Sequence, residues 1–136
     1  MMKIRKCTQD DIPSIIKIES LSFKYPYPSI VFYNYISQNF YVAELDGKVV
    51  GYAIGDVKRH LIVSIAVHPD YRRKGIGKAL MNTILKNMHD YAILQVRVSN
   101  KEAIKFYKKL GFIEKELLKS YYIDGEDAIL MFKSLD

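Results

Sequence analysis

Apolar residues recur at helical spacing near the start of the chain and predict a helix from Thr8 to about Leu21. Thr8 suits the cap position, and the acids and the proline that follow it suit a first turn. Prolines at positions 26 and 28 then exclude regular helix, and Ser29 is predicted to cap a second helix. A short strand is predicted around Ile4, before the first helix. The residues that mark the first helix are Ile12, Ile15, Ile16 and Glu19.

Two Asp-Gly pairs, at 46–47 and 124–125, are strong signals for tight hairpin turns. Each pair lies between runs that are rich in β-branched and aromatic residues, which are typical of strands. The sequence therefore predicts two hairpins. Their strands are 40–45 with 49–57, and 112–123 with 126–132.

A run at 61–67 that is apolar except for Ser64 predicts a buried strand. An amphipathic helix is predicted to follow it, from near Gly75 or Gly77 to about His89. The next predicted strand is 92–98. A strand–helix–strand unit of this kind is expected to form a right-handed parallel crossover.

Asn100 is placed to cap the last predicted helix, and Gly111 is placed to end it. Taken together, the elements predict an α/β fold. It contains one mixed sheet of antiparallel and parallel strands, with helices on both faces. No linker, repeat or low-complexity stretch interrupts this order, so the chain is predicted to form a single domain over residues 1–136.

The composition is that of an ordered globular protein, with 49% hydrophobic and 26% charged residues. Cys7 is the only cysteine, which excludes an internal disulfide bond and favours a reducing cytoplasm. No apolar window approaches the ~20 residues of a membrane helix, and residues 1–10 lack the apolar core of a signal peptide. We therefore expect a cytoplasmic protein with no membrane partner.

The net charge of +6 attracts polyanions, which include nucleic acids, acidic membranes and phosphorylated cofactors. Most charges are spread along the chain, and no nucleic-acid-binding motif accompanies them. The exception is the adjacent cations Arg72, Arg73 and Lys74. They directly precede Gly75-Ile76-Gly77-Lys78 at the predicted start of a helix.

Residues 72–78 combine cations, two glycines and a helix N-terminus. The glycines let the backbone approach a bulky ligand closely, and the first helical amides point outward where the helix dipole is positive. This combination predicts a pyrophosphate site. The chain lacks the Gly-x4-Gly-Lys-Ser/Thr sequence of the P-loop and the third glycine of the dinucleotide-binding motif.

The stretch Arg72-x-x-Gly75-x-Gly77 resembles the motif Gln/Arg-x-x-Gly-x-Gly/Ala of the GNAT acetyltransferases, which bind the coenzyme A pyrophosphate through loop amides. Stretches 64–75, 96–100 and 103–112 resemble the same family, so the resemblance covers nearly the whole chain. It implies the GNAT fold and acetyl-CoA as the cofactor. The residues implied to hold its phosphates are Arg72, Arg73, Lys74, Gly75, Ile76, Gly77 and Lys78.

Residues 121–128, Tyr-Tyr-Ile-Asp-Gly-Glu-Asp-Ala, resemble a stretch of the protein N-terminal acetyltransferases. These include the ribosomal-protein-alanine (RimI-type) enzymes and the subunits that act on nascent chains. The resemblance implies acetyl transfer to the α-amino group of a protein by direct amine attack in a ternary complex, with ribosome association as one option. Two alternatives stay open: a lysine, polyamine or other small-amine acetyltransferase, and a non-catalytic coenzyme A-binding module.

The resemblance also assigns roles on a strand and a helix. Backbone groups of Ile65, Ala66 and Val67 are expected to pair with the pantetheine arm and to polarise the acetyl carbonyl. Asn100 is expected near the pantetheine. Tyr107 lies seven residues later on the same helix face and is expected to protonate the departing thiolate.

The position that carries a glutamate in RimI-type relatives is occupied by Gln95, which cannot act as a general base. An N-terminal amine has a pKa of about 7.7–8.0, so a water relay is expected to suffice, whereas lysine at about 10.4 demands a stronger base. His60 and His68 are bases by chemistry but are expected at the surface. Glu19 and Glu44 are expected to be structural, and no metal site is predicted.

Five aromatic residues are expected to flank the bound peptide. Loops with such residues often carry binding function. Because neighbours on a strand face opposite sides, only one member of the adjacent pair is expected to face the peptide. The residues are Phe23, Tyr25 and Tyr27 on the proline-rich loop, and Tyr121 and Tyr122 on the second hairpin.

Overall fold

The computed structural model describes all 136 residues and divides them into two units, Met1–Met88 and His89–Asp136. The sheet of the first unit has the strand order β1-β2-β3-β4, and its neighbouring strands are antiparallel. Its helices are α1 (Ile12–Ser22), α2 (Ser29–Tyr35) and α3 (Ile76–Leu85), with short 3-10 turns at Gln9–Asp11 and Pro69–Tyr71. Its strands are β1 (Met2–Lys6), β2 (Asn39–Leu45), β3 (Lys48–Asp56) and β4 (Leu61–Val67).

The second unit contains one helix and a three-stranded antiparallel sheet. The helix is α4 (Lys101–Lys109), which Asn100 caps and Gly111 follows with a left-handed φ of 95°. The sheet order is β5-β7-β6. The strands are β5 (Tyr91–Arg97), β6 (Ile113–Leu118) and β7 (Ala128–Ser134).

Strand β3 separates two layers of helix in the first unit. Its alternating side chains Tyr52 and Ile54 join the core beneath α1, where Ile12 and Ile15 are buried. On the opposite face, a Cβ added to Gly51 would lie only 3.1 Å from a methyl group of Leu80 on α3. The glycine therefore lets α3 approach the sheet closely, and helices cover both faces as predicted.

The hairpin between β2 and β3 confirms the turn predicted at 46–47. Asp46 and Gly47 both have positive φ, at 50° and 83°, which is the backbone of a type I′ turn. The strands themselves start or end within one residue of their predicted bounds.

Three of the differences from the prediction lie in the helices of the first unit. Helix α3 ends at Leu85 instead of His89, because the side chain of Asn39 and the backbone amide of Asn87 both donate to the carbonyl of Ile84. The N-cap of α2 is Pro28, so Ser29 is the first helical residue instead of the cap. Ile16 is exposed, and Ile18 is buried in its place.

Cys7 lies in the core beneath α1 and is 4% exposed. Burial raises the pKa of its thiol to about 12, and the negative charge of Asp11 adds to the effect. Since the thiolate is the reactive form, we expect thiol reagents at pH 8 to modify the native protein far more slowly than the protein in denaturant. Stopped-flow labelling with and without urea measures both rates, and equal rates would contradict this placement.

No helix in the structure combines the length and the apolar character that a membrane crossing requires.

Candidate active site

The predicted phosphate-binding loop, residues 72–78, joins the turn after β4 to the start of α3. Gly75 is the N-cap of α3 in a left-handed conformation, and Arg73 also has a positive φ of 63°. The first hydrogen bond of the helix runs from the Ala79 amide to the Gly75 carbonyl at 3.1 Å. The amides of residues 76–78 therefore precede the helical hydrogen-bond pattern and are available to an anion.

This loop fits a pyrophosphate group. A Cβ added to Gly75 would meet no atom within 4 Å, so open space lies beside the helix N-terminus. The side chains of Arg73, Lys74 and Lys78 are exposed around it. Amide donors, a positive helix end and mobile cations are the groups that bind phosphates in proteins.

Two residues of the predicted set contribute differently from the others. The guanidinium of Arg72 donates to the Val67 carbonyl at 3.0 Å and to Ser22 Oγ at 3.5 Å, so it ties the loop to the ends of β4 and α1. The side chain of Ile76 is 3% exposed in the core, which leaves only its backbone amide for a ligand.

The predicted backbone partners of the cofactor lie in the last part of β4. Ala66 is buried against the core beneath α1, whereas Ile65 and Val67 are half-buried on the opposite side of the strand. The register with β3 fixes this alternation, since Ala66 pairs with Tyr52 and Val67 pairs with Gly51.

Glu19 is a buried carboxylate that the sequence identified only as structural. It is 2% exposed and accepts hydrogen bonds from the Tyr27 amide at 3.0 Å, from Ser64 Oγ at 3.3 Å and from the Tyr52 hydroxyl. Burial and the charge of Glu19 raise the pKa of Tyr52 well above its ordinary value. The position of Glu19 at helical spacing with Ile12 and Ile15 was the sequence signal for this burial.

The aromatic segment, residues 23–28, follows α1 as irregular structure, as the prolines predicted. Phe23, Tyr25 and Tyr27 expose between a third and a half of their surface. The hydroxyl of Tyr27 donates to the Val63 carbonyl of β4 at 3.4 Å. The segment therefore presents an aromatic surface that is attached to the sheet of the first unit.

In the second unit, Asn100, predicted near the pantetheine, caps α4, and Tyr107, predicted near the thiolate, lies on this helix. Asn100 Oδ1 accepts from the Ala103 amide at 3.1 Å, which confirms the predicted cap. Tyr107 is half-buried, and its ring makes edge-to-face contacts with Phe106 and Phe112 at centroid distances of 5.4 and 6.0 Å. Burial raises the pKa of Tyr107, and Tyr122 adds to the shift, so the phenol keeps its proton at neutral pH.

Tyr121 and Tyr122 lie in a loop and not on a strand, which corrects the prediction for this hairpin. Strand β6 ends at Leu118 and β7 begins at Ala128, so residues 119–127 form a tyrosine loop. The alternation argument for the two tyrosines therefore does not apply. Their rings pack edge to face at 5.0 Å, and Tyr121 is half exposed.

Side-chain contacts replace strand pairing in the tyrosine loop. The guanidinium of Arg97 binds Asp124 at 3.0 Å and Glu126 at 2.7 Å, and it lies 4.0 Å from the ring centre of Tyr122. Glu126 also accepts from the Ser99 amide, and these contacts with Ser99 and Arg97 lower the pKa of its carboxyl group.

Gln95, His68 and Glu44 lie in different parts of the fold. Gln95 is half-buried on β5, and its β7 partner is Leu130. His68 directly follows β4 and is partly exposed, and its Nδ1 accepts from the Asp70 amide at 3.1 Å. Glu44 binds Arg5 at 3.0 Å, as expected of a structural residue.

The chain is similar to known proteins over most of its length. A sequence model of the acetyltransferase (GNAT) family matches residues 12–112. An uncharacterized N-acetyltransferase of Methanocaldococcus jannaschii is 44% identical over 143 residues, covering 97% of this chain and 91% of that protein. An N-alpha-acetyltransferase of Sulfurisphaera tokodaii is 42% identical over 151 residues, covering 95% of this chain and 90% of the relative.

A solved structure shows the same fold. The crystal structure of the ribosomal-protein-S18-alanine N-acetyltransferase from Escherichia coli superposes with a TM-score of 0.88 at 31% sequence identity. The match covers 100% of this chain and 95% of that one. It confirms the predicted α/β fold class with its mixed sheet.

Proposed function

Because the chain belongs to the GNAT family of acetyltransferases, we propose that it acetylates the α-amino group at the N-terminus of a protein. Acetyl transfer from acetyl-CoA is the activity of the family, and this chain is an N-acetyltransferase with that cofactor. The observation that carries the finer assignment is the 42% identity, over 95% of the chain, to a relative named N-alpha-acetyltransferase. A ribosomal protein is one candidate substrate, since the Escherichia coli relative is named for the alanine of bS18.

In the proposed mechanism, the loop 72–78 holds the phosphates of the cofactor. The amides of residues 76–78 donate to the pyrophosphate, and Arg73, Lys74 and Lys78 balance its charge. Arg72 fixes the loop through Val67, and Gly75 leaves the required space. Backbone groups of residues 65–67 orient the acetyl carbonyl, which acetyl-CoA supplies as an activated thioester.

Tyr107 is the proposed proton donor to the leaving group. Bound acetyl-CoA would supply the acetyl thioester. When the amine takes the acetyl group and the carbon–sulfur bond breaks, Tyr107 would give its phenolic proton to the sulfur, and the phenolate would then regain a proton from solvent. Its raised pKa keeps this proton in place throughout the pH range in which the enzyme is assayed. Asn100, at the start of the same helix, shapes the pantetheine side of the site.

The amine must lose a proton, and Gln95 cannot accept it. An α-amine with a pKa of about 7.7–8.0 is partly neutral at physiological pH, so water can carry its proton to solvent. A lysine amine, at about 10.4, is almost fully charged at the same pH. The amide side chain at position 95 therefore favours α-amines as substrates.

The aromatic residues proposed to contact the peptide lie in two places, the aromatic segment and the tyrosine loop. The segment supplies Phe23, Tyr25 and Tyr27, and the loop supplies Tyr121 and Tyr122. Each is held by its own unit, the segment through Glu19 and the loop through Arg97. Exposed aromatic rings on fixed loops can bind an extended peptide with little loss of entropy.

A pair of peptides tests the reacting group. Both begin with alanine and carry an internal lysine, but one has a free N-terminus and the other is N-formylated. We expect acetylation of the free peptide to exceed that of the formylated twin by about 100-fold or more, because the twin offers only the charged lysine amine. Mass spectrometry locates the acetyl group on each peptide.

Equal acetylation of the two peptides would overturn the N-terminal assignment and favour a lysine or small-amine substrate. Binding of acetyl-CoA without transfer to either peptide would favour a non-catalytic coenzyme A-binding protein instead. A third peptide with serine in place of alanine provides a control for the identity of the first residue.

A further inference from the structure

Glu19 has a burial and a set of contacts that the proposed mechanism does not use. Its side chain is 2% exposed within an apolar core. Withdrawing a carboxylate from water is costly unless strong hydrogen bonds replace its hydration. Glu19 has such bonds, since it accepts from the Tyr52 hydroxyl, the Ser64 hydroxyl and the Tyr27 amide.

Two of these donors belong to the sheet of the first unit. Tyr52 lies on β3, and its ring packs against Phe32 and Phe40 at centroid distances of 5.8 and 6.3 Å. Ser64 lies on β4, and its Oγ is 2.9 Å from the Tyr52 hydroxyl. One carboxylate oxygen, Oε1, is therefore held by two side chains of the sheet.

The third donor belongs to the aromatic segment. Pro26 and Pro28 have no backbone N–H, so the Tyr27 amide is the only backbone donor within residues 26–28. This amide donates to Glu19 Oε2 at 3.0 Å. The Pro28 carbonyl accepts from the Val31 amide at 3.0 Å and so joins the end of the segment to α2. Residues 23–28 otherwise have irregular structure between α1 and α2.

We propose that Glu19 is a positioning residue that anchors the aromatic segment to the sheet and so sets the geometry of the aromatic residues proposed to contact the peptide. That peptide contact rests on the proposed function. Without the carboxylate, the Tyr27 amide of the segment loses its hydrogen-bond acceptor. The loop 72–78 does not contact Glu19, so its hydrogen bond from Arg72 to the Val67 carbonyl remains. Removing the carboxylate is thus expected to weaken peptide binding and to make the segment less ordered, and to leave cofactor binding unchanged.

A proteolysis experiment tests the anchor without any assumption about the substrate. Trypsin cleaves after Lys24 in the segment and within the exposed cations 72–74, which serve as a reference in the same molecule. In Glu19→Ala we expect cleavage after Lys24 to rise about tenfold or more relative to cleavage at 72–74, because the segment opens locally. Glu19→Gln keeps one acceptor oxygen and is expected to lie between Glu19→Ala and the native protein.

Asp11→Asn is the matched control. Asp11 is also a buried acid of the first unit, 6% exposed, but it binds Arg5 and Thr8 and not the segment. It is expected to leave the ratio of the two cleavage rates unchanged. A Glu19→Ala ratio equal to that of the native protein, or a parallel rise at both sites, would overturn the proposal. If Glu19→Ala does not fold, the same ratio of cleavage rates is measured for Glu19→Gln and Tyr52→Phe. A ratio equal to that of the native protein in both variants would overturn the proposal.

Kinetics then connect the anchor to peptide binding. In Glu19→Ala the KM for the peptide is expected to rise about tenfold, with the dissociation constant of coenzyme A unchanged within about twofold. Equal losses of peptide and coenzyme A affinity would contradict a positioning role. If the formylated peptide reacts as well as the free one while the cleavage ratio still rises, the proposed function fails and the anchor stands.

Discussion

Gly75→Asp is expected to weaken the binding of coenzyme A by about 100-fold, whereas Gly75→Asn should bind it almost as well as the native protein. The new side chain enters open space beside the amides of residues 76–78, where the pyrophosphate is proposed to bind. Two like charges about 4 Å apart repel by about 4 kcal/mol near a protein surface, and part of this is lost to screening by solvent and salt. The remainder, about 3 kcal/mol, corresponds to about 100-fold in affinity.

Asparagine is the appropriate control because it has the shape of aspartate without its charge. Both residues tolerate the left-handed φ of 79° better than other side chains do, so the backbone strain is the same in the two variants. Gly47→Asp adds a further comparison, since Gly47 has a similar φ of 83° and open space in a hairpin of the first unit. Titration calorimetry measures the affinities. Equal affinities for Gly75→Asp and Gly75→Asn would show that the loop does not bind the phosphates.

Tyr107→Phe is expected to lower kcat by about 10² to 10⁴-fold while the fold and the affinity for coenzyme A persist. The substitution removes the proton donor but keeps the ring, and with it the contacts to Phe106 and Phe112. The raised pKa of Tyr107 adds an expectation about pH. Because the phenol stays protonated, kcat of the native enzyme should not fall between pH 7 and 9 through ionisation of this group.

Tyr91→Phe controls for the loss of a hydroxyl elsewhere in the second unit. Tyr91 is the first residue of β5, and its ring stacks on Phe132 at 5.5 Å. Tyr91→Phe is expected to leave kcat within about twofold of the native value, because Tyr91 has no proposed role in binding the cofactor or the peptide. Single-turnover measurements identify the chemical step. If that step keeps its native rate in Tyr107→Phe, the tyrosine is a packing residue and not the acid.

Local sequence was sufficient for most of the secondary structure. The pair Asp46-Gly47 forms the predicted hairpin because few residues other than glycine, asparagine and aspartate accept positive φ at two successive positions. Asn100 caps α4 as predicted because its side chain reaches the amide three residues ahead. The phosphate site at 72–78 stays a prediction of the same local kind, since glycines, cations and a helix start are adjacent in the chain.

Tertiary structure decided the form of the tyrosine loop. The sequence predicted a continuous hairpin through Tyr121 and Tyr122, yet both strands stop short of the turn. The loop is held by Arg97, which lies 27 residues before Asp124 in the chain. A pattern of strand-forming residues carries no information about such a distant ion pair.

The sequence alone predicted most of the helices and strands, because backbone preference and hydrophobic period are set by neighbouring residues. Its motifs also resembled the family to which the chain belongs. It did not determine the partners of Glu19, which come from Tyr52 and Ser64, 33 and 45 residues away. A buried carboxylate must find donors wherever folding brings them. Which donors these are depends on strand order and register, and these are properties of the folded chain only.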